Sequence, residues 1–225
     1  MRSNKSKFIV FISGAIFISL IYVVAWSPLF TVKSIEIIGS PTDAVKNEIA
    51  KSSGITPGQQ LARVDPRSIS HRLNEFAWIS HVGVSRNWIS GKVTMEIAAR
   101  RPVALFNGRT IDSTGQLFDF PGSVERGLPI VSGATTESGL GAIALFKGLP
   151  VDFRDQIQSL SAMTDTTYLI RILNKSREIK VIWGSNDGAA DISLKIKVFK
   201  ALIERPENQK ISRIDLSAPH APIVK

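Results

Sequence analysis

The residues of this chain that could take part in catalysis or metal binding are few and far apart. The three histidines are His71, His81 and His220, and the first two are ten positions apart rather than at the i, i+4 spacing of a helical zinc pair. Asp152 and Asp155 lie close together, but such a pair is usually solvated at the start of a helix. The chain has no cysteine and no G-x-S-x-G or S-x-x-K motif. We therefore expect no catalytic residue, no metal site and a protein that is not an enzyme.

One short segment, Gly139-Leu-Gly141-Ala-Ile-Ala144, follows the nucleotide-binding pattern G-x-G-x-x-A. That pattern binds a dinucleotide only where it connects a strand to a helix within a parallel unit. The flanking sequence predicts neither the strand nor the parallel unit. We therefore expect no cofactor.

The chain is basic, with a formal net charge of +9, and its Lys and Arg residues are scattered along the sequence. Scattered charges are typical of a solvated surface, and a preference for anionic partners or anionic cell-surface polymers is the alternative. No basic motif with interleaved aromatic residues is present, so nucleic acid is not an expected partner.

One long apolar stretch, residues 8–26, begins at Phe8, ends at Trp26 and contains no charged residue. At about 1.5 Å per helical residue it can cross a hydrocarbon core of about 30 Å. Arg2, Lys5 and Lys7 precede it, and the positive-inside rule then places residues 1–7 in the cytoplasm as a short tail. We expect a transmembrane helix that anchors a single-pass type II protein in the lipid bilayer, with the bulk of the chain outside.

A cleaved signal peptide is the alternative interpretation of this stretch, because the basic start fits it equally well. The apolar run is longer than a usual signal-peptide core, and no small-x-small cleavage site follows it. Trp26 also stands where an interfacial anchoring residue is expected. These features favour the retained anchor.

The region after the apolar stretch has the pattern of a small α+β layer, in the order strand, helix, helix, strand, strand. Ser40 and Pro41 are expected to begin the first helix, which ends near Gly54, and Asp65-Pro66 to begin the second. Apolar and polar residues alternate in three predicted strands, at residues 31–39, 81–88 and 92–98.

The second half of the chain has the pattern of an antiparallel sheet with helices on one side. Hairpin turns are expected at Asn107-Gly108 and at residues 174–177, and a Gly- and Ser-rich connection at residues 132–141. The spacing of apolar residues predicts two helices, one marked by Phe153, Ile157 and Leu160 and the other by Ile192, Ile196, Phe199 and Ile203.

The last predicted strand, residues 211–216, is followed by a short apolar segment at Ile223 and Val224. A chain that ends in a short strand leaves an open sheet edge, and strand addition to such an edge is a common mode of recognition. Fraying of the last residues is the alternative. The candidate partner-binding residues are Ile211, Arg213, Ile214, Leu216, Ile223 and Val224.

The chain resembles the FtsQ/DivIB family of bacterial cell-division proteins in a series of motifs that occur in order along nearly its whole length. The motifs that resemble a POTRA domain are Phe30-Thr-Val-Lys-Ser-Ile-Glu-Ile-Ile-Gly39, Gly54-x-x-x-Gly58-x-x-Leu61-x-x-Val64-Asp65 and Ala77-Trp-Ile-Ser-His-Val-Gly-Val-Ser-Arg86-Asn-Trp88. The motifs that resemble the family as a whole are Glu96-Ile-Ala-Ala-Arg100-Arg101-Pro102-Val103-Ala104 and Ile111-Asp112-x-x-Gly115-x-x-Phe118. Those that resemble its β-domain are Leu128-Pro129-x-x-x-Gly133 and Ile214-Asp215-Leu216. Ala98-Ala99 stand where the family usually has an acidic residue.

The resemblance implies a POTRA domain at residues 29–98, an FtsQ-type β-domain at residues 99–225 and a non-enzymatic role in the divisome. It implies a scaffold in the bacterial inner membrane that links division proteins at the septum and helps to control septal peptidoglycan synthesis. The implied partners are FtsL-like and FtsB/DivIC-like proteins, which would bind the β-domain edge, and other divisome membrane proteins.

Two other functions remain as alternatives. A POTRA-bearing export or assembly module would need a membrane barrel or several POTRA repeats, and the apolar segments after Arg100 are too short and too few for a barrel. An anchored cell-wall hydrolase would need an acid, base or metal constellation that the sequence does not offer.

Overall fold

The structure of the chain, a computed structural model, describes residues 3–26 and 30–225. Contacts between residues divide the chain into two units, Met1–Arg100 and Arg101–Lys225. The first helix, α1, runs over Ser3–Trp26, and all of its described side chains are exposed. Within the described part of the chain, no helix is both long enough and apolar enough to cross a membrane.

After α1, the first unit has the predicted order of strand, helix, helix, strand, strand. A short 3₁₀ turn at Leu61–Arg63 lies between its two helices. The elements are β1 (Ser34–Ile38), α2 (Asp43–Ser53), α3 (Pro66–Leu73), β2 (Ile79–Asn87) and β3 (Lys92–Ala99).

The ends of these helices follow local sequence signals, with one correction. Asp65 caps α3 by accepting a hydrogen bond from Arg67 N at 3.0 Å, and Gly54 ends α2 in the left-handed conformation, as predicted. The expected start of α2 at Ser40 and Pro41 is wrong. Thr42 is the cap, because its side chain accepts a hydrogen bond from Val45 N at 3.3 Å.

The sheet of the first unit has the order β1-β3-β2, with β1 parallel and β2 antiparallel to β3. Alternate residues of the strands, such as Val93, Met95 and Ile97, are buried. Ile49 of α2 and Leu73 of α3 are also fully buried, so the unit has an apolar core between sheet and helices.

The second unit is built on one nine-stranded sheet of the order β12-β11-β10-β9-β8-β7-β4-β5-β6. Its strands are β4 (Ala104–Phe106), β5 (Arg109–Ile111), β6 (Leu117–Phe118), β7 (Ile130–Ser132), β8 (Ile157–Ala162), β9 (Tyr168–Asn174), β10 (Arg177–Gly184), β11 (Arg213–Asp215) and β12 (Ile223–Val224). Its helices are α4 (Thr136–Gly148), α5 (Val151–Arg154) and α6 (Ala189–Glu204), and a 3₁₀ turn follows at Pro206–Asn208.

The predicted α+β class, with a mainly antiparallel sheet, is confirmed. Among the described strands of the nine-stranded sheet, five of the eight neighbouring pairs are antiparallel, and β4–β7, β7–β8 and β10–β11 are parallel. In β9, Ile170 and Ile172 are buried while Arg171 is exposed, so one face of the sheet carries the core. Residues of α4, α5 and α6, including Phe153 and Phe199, belong to the same buried cluster.

Two predictions about the second unit are wrong. Phe153, Ile157 and Leu160 do not share one helix, because α5 ends at Arg154 and the other two residues lie in β8, which pairs with β7 and β9. Their helix-like spacing arose by chance, because Phe153 lies in the short helix α5 while Ile157 and Leu160 lie in β8, whose pairing with β9 has an irregular register.

The expected connection at residues 132–141 is largely helical, because α4 begins at Thr136 behind a capping box formed by Thr135 and Ser138. The glycines of this segment serve close packing. A side chain at Gly139 would collide with the ring of Phe106, and one at Gly141 with the hydroxyl of Tyr168. A strand, β7, does precede this helix and is parallel to β8, contrary to the expectation from the flanking sequence. The G-x-G-x-x-A segment itself lies inside α4, which packs on the sheet, and not at the turn between strand and helix.

Candidate partner-binding edge

The strand at one end of the nine-stranded sheet is β12, which among the described strands pairs with β11 alone. Arg213 and Lys225 exchange both of their backbone hydrogen bonds, at 3.0 Å each. Along an antiparallel ladder such pairs alternate with pairs that are not hydrogen-bonded, and Val224 lies opposite Ile214 in the next pair. The backbone N–H and C=O of Val224 therefore point away from β11, toward the open side.

The six candidate residues of the edge differ in what they can offer a partner. Ile211, Ile214 and Leu216 are buried in the core of the second unit. The strand that carries Ile214 is paired on both sides, by β10 and β12.

The accessible groups of this edge lie around β12. The side chains of Arg213 and Ile223 are exposed, that of Ile223 by 59%. Val224 is partly buried against the core and presents its backbone. A partner can thus reach the backbone of Val224 and two of the six side chains, and its binding there stays a prediction.

The turn between β11 and β12 is held by Asp215, whose carboxylate accepts hydrogen bonds from Ser217 Oγ at 2.6 Å and Ser217 N at 3.0 Å. The Ser217 hydroxyl, its N–H and the charge of Arg213 lower the pKa of Asp215 below its ordinary value, against an opposing effect of partial burial. Sequence analysis did not single out this turn, although an Asp two residues before a Ser is a recognisable Asx-turn signal.

A glycine at the end of β10 lets the chain approach this turn closely. Gly184 has a φ of +74°, and a Cβ there would lie 2.7 Å from Ser217 Cα. A side chain at this position would therefore push against the turn that leads to β12. Sequence analysis missed Gly184 because its close neighbour is distant in the sequence.

Beside the same end of β10, α6 contains a fully buried lysine that sequence analysis also missed. The Nζ atom of Lys195 lies 2.8 Å from Asp191 Oδ2, donates to Ser185 O at 2.8 Å and stands 5.6 Å from the ring centroid of Trp183. The lysine thereby fixes the backbone that follows β10. The signal in the sequence is an acid and a lysine at i, i+4 among apolar helix positions.

The residues first considered for chemistry do not come together. His71, His81 and His220 are exposed, and within residues 3–26 and 30–225 no group of three or more His, Cys, Asp or Glu residues is placed to hold a metal ion. Asp152 forms an ion pair with Lys200 at 3.1 Å, which lowers the pKa of Asp152.

Of the predicted anchor and orientation residues, Phe8 is described and is 64% exposed. Lys5, Lys7 and Trp26 belong to α1, but their side chains lie outside the described residues. Arg2 lies outside the described residues altogether.

Two family models match the chain. The model of the cell division protein FtsQ/DivIB C-terminal region matches residues 103–217, and the model of the FtsQ-type POTRA domain matches residues 30–98. The chain is 27% identical over 201 residues to the cell division protein FtsQ of Corynebacterium glutamicum, covering 84% of this chain and 87% of that protein. It is 23% identical over 219 residues to the cell division protein FtsQ of Geotalea daltonii, covering 90% of this chain and 78% of that protein.

Proposed function

The chain belongs to the FtsQ/DivIB family of cell-division proteins, and from that premise we propose that it is a divisome scaffold with no catalysis of its own. It links division proteins at the septum and so helps to control septal peptidoglycan synthesis. The observation that supports this role most directly is the open side of β12, because an unpaired strand at the end of a sheet can bind a partner by strand addition.

In this proposal, α1 anchors the protein in the inner membrane as a single-pass type II protein. The support is the uncharged sequence of residues 8–26, including Leu20 and residues 24–26, whose side chains lie outside the described residues. The described side chains of α1 are apolar for the most part and exposed, and lipid is a natural cover for such a surface. Arg2, Lys5 and Lys7 then keep the N-terminus in the cytoplasm.

A carbonate wash of native membranes tests the anchor, because it removes peripheral proteins and leaves spanning ones. We expect the full-length protein to stay in the membrane pellet. Recovery of a shorter soluble species would instead favour the cleaved signal peptide.

We propose that the partners at the β12 edge are the FtsL-like and FtsB/DivIC-like division proteins. The edge combines an outward N–H and C=O at Val224 with the exposed apolar side chain of Ile223 and the charge of Arg213. A strand with an apolar residue and an acid at alternate positions would complement it. The POTRA domain, residues 29–98, contributes to septal recruitment and contacts other divisome membrane proteins.

Depletion of the protein in its native bacterium tests the function as a whole. We expect filamentous cells, because septation stops while elongation continues, and rescue by the wild-type chain. A chain whose residues 1–26 are replaced by an unrelated transmembrane helix is also expected to rescue, since the helix serves to position the outer domains. Normal division after depletion, in a strain with no second copy of the gene, would refute the proposal.

A further inference from the structure

The turn between β2 and β3, residues 88–91, carries the most exposed large apolar side chain among the described residues. Ile89 is 95% exposed and the neighbouring Trp88 is 37% exposed. We refer to residues 88–91 as the hairpin tip. Two adjacent apolar side chains at such a tip add little to the core of the first unit. Their exposure therefore indicates a contact with another molecule or with a membrane.

The hairpin tip is held firmly rather than loosely. Asn87 Oδ1 accepts hydrogen bonds from the backbone N–H groups of Ile89 and Ser90, both at 3.0 Å. The ring of Phe30 meets that of Trp88 edge-on at 6.3 Å between centroids. The turn thus presents Ile89 outward in a fixed geometry.

Arg86 ties the hairpin tip to the 3₁₀ turn at Leu61–Arg63. Its Nη1 atom donates to Leu61 O at 3.0 Å and to Val64 O at 2.7 Å, and its guanidinium lies 5.3 Å from the ring centroid of Trp88. Residues of α1 approach this same 3₁₀ turn to within 8 Å between Cα atoms. The hairpin tip therefore lies at the end of the first unit that α1 approaches.

The covalent chain sets a limit on how far the hairpin tip can lie from the end of α1. Four Cα–Cα steps join Trp26, the last residue of α1, to Phe30, and they span at most about 14 Å in any conformation. Phe30 is in contact with Trp88. With α1 in a bilayer, the hairpin tip is within reach of the layer of lipid headgroups.

The charges around the hairpin tip are mainly basic. Lys33 packs against Gly91 and is exposed, and Arg86 and Lys92 line a shallow surface pocket with Trp88 and Ile89. Lys92 also pairs with the acid on β1, Glu36, at 2.6 Å. Tryptophan and an aliphatic side chain flanked by basic residues are the combination that binds at the interface of a bilayer with anionic headgroups.

We propose that the hairpin tip is a second membrane contact of this protein, in which Ile89 and Trp88 enter the headgroup layer of an anionic bilayer and the surrounding basic residues meet its phosphates. The inference rests on the proposed anchoring of α1. Its consequence is that the first unit is fixed in orientation at the membrane surface by two points, α1 and the hairpin tip, instead of turning freely about one.

Because the chain has no cysteine, a single environment-sensitive fluorophore can test the contact in the full-length protein. Ile89→Cys is labelled for the hairpin tip, and Ala98→Cys, an exposed position near the opposite end of β3, is the matched control. Both proteins are reconstituted in vesicles of phosphatidylethanolamine and phosphatidylglycerol that contain doxyl-labelled lipid as a quencher. Flotation of the vesicles after carbonate treatment measures the anchor independently of the label.

We expect both proteins to float with the vesicles and the label at position 89 to be quenched at least about twofold more than that at position 98, since interfacial groups sit several ångströms into the bilayer. Equal quenching of the two labels in floating vesicles would overturn the contact and leave the anchor intact. Loss of flotation would overturn the anchor, and the contact with it.

Two further arms separate the kinds of occupant. In vesicles of zwitterionic lipid alone, we expect the label at position 89 to be quenched less than in vesicles with anionic lipid. Equal quenching in the two kinds of vesicle would overturn the role of anionic headgroups. If the fluorescence of the label at position 89 changes only after division partners are added, and not with lipid alone, the hairpin tip binds a protein. That result would overturn the membrane contact.

Discussion

Replacing Val224 with proline is expected to block partner binding at β12 while the sheet itself stays intact. The N–H of Val224 points to the open side, whereas the neighbouring positions bond to β11 through pairs such as Arg213 with Lys225. Proline removes that one donor and puts its ring in the path of a partner strand. Proline is tolerated on an edge strand whose N–H faces solvent, so the intramolecular ladder has no need to break.

The expected loss of affinity follows from the groups involved. One backbone hydrogen bond contributes about 0.5–1.5 kcal/mol, and the carbonyl of the partner left without a donor costs about 1–3 kcal/mol more. The two terms sum to about 1.5–4.5 kcal/mol, so Kd is expected to rise at least about tenfold. Val224→Ala keeps the N–H and shortens the side chain, so it serves as the matched control and is expected to raise Kd only slightly.

Energy transfer between the labelled full-length protein and labelled FtsL-like and FtsB/DivIC-like proteins in the same vesicles measures this affinity as a function of surface density. Ile223→Pro contrasts with Val224→Pro, because the N–H of Ile223 faces β11 instead of the open side. Removing this N–H is expected to detach β12 from the sheet. Binding by Val224→Pro within twofold of that by Val224→Ala would refute strand addition at this edge.

Three further predictions concern stability. Lys195→Met should lower the free energy of unfolding of the second unit by about 3–5 kcal/mol in denaturant titrations, because it leaves Asp191 without its cation. Adding Asp191→Leu to this variant should recover most of the lost stability. Gly39→Ala should destabilise the first unit by about 1–3 kcal/mol in calorimetry, because φ is +84° and the new methyl group would meet the carbonyl of Ile97; an unchanged transition would contradict this. The pKa of Asp215 is lowered in the folded state, so its carboxylate stabilises the fold at pH values above the ordinary carboxyl pKa. This stabilisation is lost as pH falls through the lowered pKa. The difference in unfolding free energy between wild type and Asp215→Asn should therefore shrink over that acid range.

The parts of the fold that sequence analysis predicted correctly depend on local signals. The order of elements in the first unit follows from strand alternation and from helix ends at Gly54 and at Asp65-Pro66, all set by neighbours in the sequence. The hairpin between β9 and β10 is likewise confirmed. The resemblance to the FtsQ/DivIB family is confirmed as well, because a series of motifs in order is more specific than any one of them.

The parts that were predicted wrongly depend on packing between residues distant in sequence. Glycines usually indicate a loop, yet Gly139 and Gly141 lie in α4, where Phe106 and Tyr168 occupy the space of their side chains. The sequence around the two glycines does not show that Phe106 and Tyr168 pack against them. The three parallel strand pairs described in the second unit were missed for the same reason, since each joins strands separated by other elements.

The candidate edge shows the same division between local and distant information. The sequence indicates a short strand at Ile223 and Val224, but it does not indicate that this strand folds back to cover β11. Only the register of Arg213 with Lys225 shows that β11 is internal and that Val224 carries the outward backbone groups. The side chains of Ile211, Ile214 and Leu216 looked suitable for a partner because core residues and interface residues share the same apolar character.

The shortness of β12 bears on why the protein would need an anchor. Within β12, Val224 offers two outward backbone groups, and at about 1 kcal/mol each they supply far less than the roughly 8 kcal/mol of a micromolar complex. Exposed side chains such as Ile223 add to this, but confinement of anchored partners to one membrane also raises their effective concentration and can multiply apparent affinity by about 10²–10⁴. On this argument the anchor proposed for α1 would take part in the proposed binding, because a weak edge becomes an effective one only where the partners are held at the same surface.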